Sequence, residues 1–164
     1  MAKTRNLRDG TLIIRDGTAT PNTLTIPIMD GDLSFKVVQP SFILRNRGKI
    51  DSRKQADQEA LDISFSFKFE QWSYADGNSG ISVPDAFQQI GGAVNWNSTD
   101  PNCGPFAVDL VFRMTDPCNL AAYEQLVFSN FHADSLDFKE GSEANTVSVT
   151  GKALIFKPVR THVP

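Results

Sequence analysis

The chain has 164 residues and a formal net charge of −3, with 40% hydrophobic and 21% charged residues. This composition is ordinary for one soluble globular domain. No stretch reaches the ~18 apolar residues of a membrane-spanning helix, and no apolar segment follows the basic start of the chain. We therefore expect a single domain, residues 1–164, without a signal peptide, that works in a cytoplasm or in an assembly built there.

Charge is unevenly distributed along the chain. Residues 1–60 carry ten Lys/Arg against seven Asp/Glu (+3), and residues 61–164 carry six against twelve (−6). Opposite signs in the two parts favour head-to-tail association of identical copies over nucleic-acid binding. The alternative is a chance scatter of surface charge.

The first forty residues predict an arm followed by short hairpins. Residues 1–10 are polar, basic and unpatterned, which is typical of an extended N-terminal arm. Short apolar runs then alternate with the turn signals Asp16-Gly17 and Asp30-Gly31.

Residues 45–60 have almost nothing to bury and predict a long polar loop. A loop of this length in a compact β domain is usually functional or disordered, so a mobile solvated loop is the alternative. Five basic residues fall between positions 45 and 54: Arg45, Arg47, Lys49, Arg53 and Lys54.

Residues 61–70 are the strongest strand signal in the chain. Odd positions are apolar and even positions are polar or charged, so one face of a pleated strand is apolar and the other is wet. We expect Phe65 and Phe67 to be buried. The alternation recurs at residues 146–156, the predicted partner, and residues 106–114 are a further candidate strand.

One helix is predicted at residues 83–92, where it covers an open face or end of the sheet. Pro84 suits the first turn, Asp85 favours the positive N-terminal dipole, and Gly91 ends the helix. An imperfect alternation at residues 123–138 adds a strand, and residues 157–164 resemble another arm. The predicted class is mainly β: an antiparallel β-sandwich or distorted barrel with one flanking α-helix, a long loop and terminal arms.

The sequence has no catalytic or metal-binding signature, so neither an enzyme nor a cofactor is predicted. His132 shares a polar strand face with Asn130 and Asp134, an arrangement that wet faces produce by default. Cys103 and Cys118 lie on loop-like stretches outside any CxxC pair, so free thiols are expected.

Three aromatic residues offer an alternative function. Trp72, Tyr74 and Trp96 fit the stacking platform of a carbohydrate-binding β-sandwich. Aromatic residues flanking a helix are more often its packing partners.

The order of these features resembles the major tail tube protein of long-tailed bacteriophages, whose fold is shared by the tube protein of type VI secretion systems. The resemblance covers essentially the whole chain. It rests on a basic arm, short hairpins, a long polar loop before a long alternating strand, and the helix 84–92 followed by Trp96. Two more long strands then close the chain, the last of them after residues 138–141.

The resemblance implies a non-enzymatic virion protein of the tail, assembled in the host cytoplasm. Copies would form hexameric rings that stack into a tube, with other tail proteins as partners and DNA passing through without sequence-specific binding. Alternatives are a tail terminator, a secretion-type tube subunit or the carbohydrate-binding module.

The resemblance implies roles for two groups of residues, one between stacked rings and one facing the lumen. The family's channel tends to be acidic, so Lys68 and Lys152 on the wet faces depart from its pattern. The implied inter-ring residues are Arg45, Arg47, Lys49, Arg53 and Lys54, and the implied lumen-facing residues are Asp62, Ser64, Ser66, Lys68 and Glu70.

Overall fold

The computed structural model describes residues 10–26, 33–69, 80–98, 107–116, 118–141 and 145–164. Residues 1–9 of the predicted N-terminal arm, 1–10, therefore lie outside the described residues, as do Glu70, Trp72, Tyr74 and Cys103, and Gly10 begins the first strand. The strands are β1 Gly10–Arg15, β2 Thr23–Ile26, β3 Ser34–Lys36, β4 Ser41–Asn46, β5 Lys49–Gln55, β6 Leu61–Phe69, β7 Ala107–Asp116, β8 Asn119–Lys139, β9 Asn145–Ala153 and β10 Val159–Val163; the α-helix α1 is Val83–Gln88, followed by a 3₁₀ turn at Gly91–Ala93.

Eight of these strands form one antiparallel sheet. Its order is β2-β1-β7-β8-β9-β6-β3, and β10 pairs with β8 beside β9. The sheet does not close into a barrel within the described residues, and β4 and β5 form a separate two-stranded sheet. The predicted class, mainly antiparallel β with one flanking helix, is confirmed. In this part of the chain, no helix has the length and apolar content that crossing a membrane requires.

The alternation predicted at residues 61–70 is confirmed in β6. Leu61, Ile63, Phe65 and Phe67 are at most 2% exposed. Strand β6 pairs with β9 along its whole length, from Leu61 opposite Ala153 to Phe69 opposite Asn145. The predicted C-terminal partner is therefore correct, and the candidate at residues 106–114 forms β7 on the far side of β8.

Helix α1 covers the apolar face of the long strands. Its Phe87 ring lies 5.8 Å from the ring of Phe65 in β6 and 5.9 Å from that of Phe131 in β8, between ring centroids. Phe65 and Phe131 are themselves 6.3 Å apart. Offset and edge-to-face aromatic pairs at these distances add to the energy of apolar burial, so the three rings fasten the helix to the sheet.

The ends of α1 follow from its sequence. Ser82 and Asp85 form a capping box, in which each side chain accepts a hydrogen bond from the other residue's backbone N–H at 3.2 Å. Pro84 occupies the first turn as predicted. The left-handed residue at the end is Gln89, with φ 51°, so the helix stops before the predicted Gly91.

A bulge bends the 21-residue strand β8 where it changes partners. Asp109 on β7 faces two β8 residues, because Leu110 pairs with Phe128 and Val108 with Phe131. The buried Asp109 carboxylate accepts hydrogen bonds from the Ser98 hydroxyl at 2.5 Å and from the Asn130 N–H at 3.3 Å. Asn130 has a positive φ of 56°. The Asn130 N–H also donates to the Ser98 hydroxyl oxygen at 2.7 Å. Asp109 and Ser98 together thus hold the bulge that directs the second half of β8 onto β9.

The predicted loop at residues 45–60 is wrong for most of its length, because this segment belongs to the β4–β5 hairpin. The sequence does contain a hairpin signal: an apolar run before the basic residues, a turn at Arg47-Gly48 and an isolated Ile50. Residues 45–60 contain few apolar side chains, however, and a segment of this composition is also typical of a loop.

The predicted C-terminal arm at residues 157–164 is also corrected. Val159–Val163 forms β10, which pairs antiparallel with residues 123–127 of β8. Glu124 on β8 lies 3.8 Å from the Arg160 guanidinium and 3.3 Å from His162 Nδ1. The segment is a strand because β9 leaves this part of the β8 edge open to it.

The buried face of β6 can be tested by truncation. Phe65→Ala and Phe67→Ala are each expected to lower the free energy of unfolding by about 3–5 kcal/mol, because both remove a fully buried ring. Urea denaturation followed by circular dichroism measures this, and Ser66→Ala, which alters the opposite face, is the control. An unchanged transition for both phenylalanine variants contradicts the assigned face.

Candidate assembly surfaces

The β4–β5 hairpin is a two-stranded ribbon that no other described strand extends. A backbone hydrogen bond from Ala56 N to Pro40 O, 2.9 Å long, closes its root. Only Leu44 and Ser52 are partly buried, and all its other residues are exposed. An isolated two-stranded hairpin is marginally stable in water, so this ribbon lacks the packing that would secure it in a free subunit.

The tip of the ribbon is a tight two-residue turn. Arg47 and Gly48 both have positive φ, at 48° and 81°. Positive φ at both central residues is the geometry of a type I′ turn, whose twist matches that of the flanking strands. Arginine is uncommon in this region of φ, and here the turn places the exposed Arg47 at the tip of the ribbon.

All five predicted inter-ring residues lie on this hairpin, and all are exposed. Residues 41–55 contain these five basic residues and one acidic residue, Asp51, so the segment carries a net charge of +4. The structure thus brings these five residues together on one hairpin. Their role in an interface stays a prediction.

The hairpin also exposes large apolar side chains that the sequence prediction did not use. Phe42, Ile43 and Ile50 are 47%, 50% and 69% exposed. Each stands across from a basic residue in the ribbon: Phe42 from Lys54, Ile43 from Arg53, and Ile50 from Arg45. Apolar side chains gathered on an exposed element mark an interaction surface. The available signal was the apolar run 42–44 next to the basic residues.

A second surface is the polar face of the sheet section β3-β6-β9-β8, opposite the side that α1 covers. The predicted lumen residues Asp62, Ser64, Ser66 and Lys68 all lie on this face of β6, and none is fully buried. Glu70 lies outside the described residues. The pairing registers arrange the face in rows across the strands: Lys36, Asp62, Lys152 and His132; Ser34, Ser64, Thr150 and Ser135; Ser66, Ser148 and Asp137; Lys68, Thr146 and Lys139.

Hydroxyl groups fill the middle of this polar face. Ser66 and Ser148 are hydrogen-bonded at 3.1 Å, and Ser135 and Thr150 at 2.8 Å. Cross-strand hydroxyl pairs of this kind stabilise neighbouring strands modestly. The face is therefore wet and mostly neutral at its centre, with charged rows on either side.

The same four-stranded section has two open edges. Among the described residues, β3 pairs only with β6, and residues 133–139 of β8 pair only with β9. Phe35 on β3 is 38% exposed although its ring packs edge-on against Phe128 at 5.2 Å. Open strand edges present unpaired N–H and C=O groups that can pair with another chain.

The polar side chains show no reaction centre in the part of the chain that the structure describes. No group of three potential metal ligands occurs there. His132 Nδ1 lies 3.3 Å from Asp134 Oδ1, but both side chains are about half exposed, at 47% and 54%, on the polar face of β8. This arrangement provides a surface polar pair rather than an enclosed catalytic site.

Trp96 does not support the carbohydrate-binding alternative, because it is buried. Trp96 is 2% exposed and belongs to the hydrophobic core. A buried indole offers no face for a sugar ring, so Trp96 contributes to the core, as aromatic residues near a helix commonly do.

Comparison with known proteins shows which solved structures this architecture is similar to. No family model and no curated protein matches the sequence. A chain from the sheath–tube complex of the extracellular contractile injection system PVC, in the extended state, is similar with a TM-score of 0.65 and 11% identity, covering 99% of this chain and 95% of that one. A chain of the SPP1 tail tube is similar with a TM-score of 0.51 and 8% identity, covering 95% and 78%. The chain therefore has the tail tube protein fold, as the sequence resemblance predicted.

Proposed function

We propose that this chain is a structural subunit of a phage tail tube, and not an enzyme. Copies join edge to edge into hexameric rings, and the rings stack into a tube in the virion tail that conducts DNA into the host. The observation that carries the proposal is the four-stranded section β3-β6-β9-β8, which has a wet face and two edges that no further strand of the described residues covers. The tail tube fold supports it.

Lateral joining follows from the strand directions. Strands β3, β6, β9 and β8 alternate in direction, so the outer strand β3 is antiparallel to the other outer strand, β8. In a ring of identical copies, β3 of one subunit meets residues 133–139 of β8 of the next in antiparallel orientation. The joint continues the sheet without a break in its pattern, and ring closure leaves no open edge.

The closed inner sheet turns its wet face to the channel. Helix α1 and the aromatic cluster occupy the opposite face, so only the serine- and threonine-rich face is available to line a water-filled lumen. DNA passing there meets hydroxyl groups and side-chain charges that carry no sequence information.

Stacking is assigned to the β4–β5 hairpin. Its basic and apolar side chains are exposed together, and the second part of the chain, residues 61–164, carries a net charge of −6. A basic, apolar ribbon from one ring that docks on the more acidic body of the next gains from both apolar burial and charge.

A second candidate is a tube subunit of an injection system. The TM-score is higher for the injection-system chain, 0.65, than for the SPP1 chain, 0.51. The presence or absence of packaged DNA in particles that contain this protein distinguishes the two candidates.

The stacking role of the hairpin charges can be tested by changing Arg45, Arg47, Arg53 and Lys54 together to Ser. We expect the subunit to stay folded and rings to form, but tubes to be absent, because each ring repeats the lost charges. Single surface pairs contribute only about 0–1 kcal/mol, so a single substitution is expected to have little effect. Circular dichroism and electron microscopy of the same sample measure the two outcomes.

The matched control keeps the charge and changes the side chain: Arg45→Lys, Arg47→Lys, Arg53→Lys and Lys54→Arg. This variant is expected to form tubes, and wild-type tube growth is expected to weaken as salt screens the charges. Normal tubes from the serine variant at the wild-type concentration rule out the hairpin charges as the stacking element.

Order in the hairpin is expected to depend on assembly. The ribbon has little buried apolar area to offset the entropy of ordering it, so residues 41–55 should exchange amide hydrogens rapidly in the free subunit and slowly in the tube. Hydrogen exchange with mass spectrometry measures this, and β6 serves as the internal control that stays protected in both states. Equal protection of the hairpin in subunit and tube contradicts the docking role.

A further inference from the structure

The first row of the polar face holds two lysines and one aspartate, and a second aspartate, Asp134, lies in the β8 bulge beside the fourth residue of the row, His132, with 3.3 Å between Asp134 Oδ1 and His132 Nδ1. Lys36, Asp62 and Lys152 stand side by side on β3, β6 and β9, and Asp62 is in the middle. Lys152 Nζ lies 3.6 Å from Asp62 Oδ1. Asp134 extends from the bulge in β8 and lines the same shallow cleft as both lysines. The four formal charges cancel, with two positive and two negative.

We propose that Asp62 and Asp134 are neutralising residues, which prevent Lys36 and Lys152 from retaining double-stranded DNA on the polar face. The inference rests on the proposed function, in which this face lines a channel that DNA passes. It assigns to two aspartates the task of cancelling the charge of two of the four lysines on this face.

The spacing of the row supports this role. Neighbouring strands lie about 4.8 Å apart, so a lysine on β3 and a lysine on β9 are separated by about 10 Å with Asp62 between them. Each ammonium group is then within one Debye length, about 8 Å at physiological salt, of a carboxylate. A polyanion approaching this end of the face meets no net positive charge from these four side chains, whereas Lys68 and Lys139 share the row at the other end.

Assembly into a ring multiplies the effect of each lysine on DNA binding. A lysine without a carboxylate beside it binds phosphate as a point charge, and every phosphate that is neutralised releases counterions and raises DNA affinity. A ring repeats Lys36 and Lys152 in every subunit, so unneutralised lysines would form a belt that holds DNA. Conduction requires binding weak enough for release. The adjacent row, Ser34, Ser64, Thr150 and Ser135, adds only uncharged hydroxyl groups.

The experiment uses the folded subunit in which Arg45, Arg47, Arg53 and Lys54 are already serine, so that the hairpin does not contribute to DNA binding. Asp62→Asn and Asp134→Asn are added together. The side chains of Asp62 and Asp134 are 60% and 54% exposed, so the fold is expected to persist. The matched control is Asp57→Asn with Glu59→Gln, which changes net charge equally at exposed positions before β6.

Fluorescence anisotropy of a labelled DNA duplex measures binding. The Asp62/Asp134 variant is expected to bind about tenfold more tightly than its parent at about 50 mM salt, and to lose this gain towards about 200 mM. Adding Lys36→Ser and Lys152→Ser should abolish the gain, and the control variant should resemble the parent. An unchanged affinity, or an equal gain in the control, overturns the inference.

The two proposals fail separately. If the Asp62/Asp134 variant gains DNA affinity but the wild-type chain never assembles, neutralisation is supported and the tube is contradicted. Wild-type tubes without the gain contradict neutralisation alone.

Discussion

The contact among Phe65, Phe87 and Phe131 determines which side of the central strands is buried. Their ring centroids lie 5.8 to 6.3 Å apart, and they fix α1 on one face of β6 and β8. Because side chains alternate strictly along a strand, burial of this face forces Asp62, Ser64, Ser66 and Lys68 to the opposite face. The wet surface that we assign to a channel is thus the necessary counterpart of the aromatic core.

Two further features of this one-sided sheet suit the proposed assembly. The buried carboxylate of Asp109 holds the bulge at Asn130, so the first half of β8 pairs with β7 and β10 while its second half extends alongside β9 with an edge that no described strand covers. The β4–β5 hairpin then provides a separate basic and apolar ribbon that the core does not stabilise. In the proposed tube, lateral joining and stacking therefore use different parts of the chain, and we expect that each can be altered without disturbing the other.

The sequence predicted the elements whose pattern is strong and local. The alternation at residues 61–70 gave the strand, its buried face and its C-terminal partner, and Pro84 with Asp85 gave the start of the helix. The hairpin was missed because few of its residues are apolar, and low apolar content is also typical of loops. Strand β10 was missed because its order depends on an open part of the β8 edge, which only the tertiary structure reveals. The cluster of Lys36, Asp62, Asp134 and Lys152 was also hidden in the sequence. These four residues are distant along the chain and meet only through the strand registers and the bulge in β8.

The central claim is that identical copies join through β3 and β8 into a ring whose channel is lined by the polar face. A cryo-electron microscopy reconstruction of particles formed by the purified chain tests it most directly. The account predicts six-fold rings or tubes in which β3 of one subunit extends residues 133–139 of the next, with Ser64 and Ser66 facing the channel. A chain that remains monomeric at every concentration, or particles whose polar face is turned outward, would contradict the account.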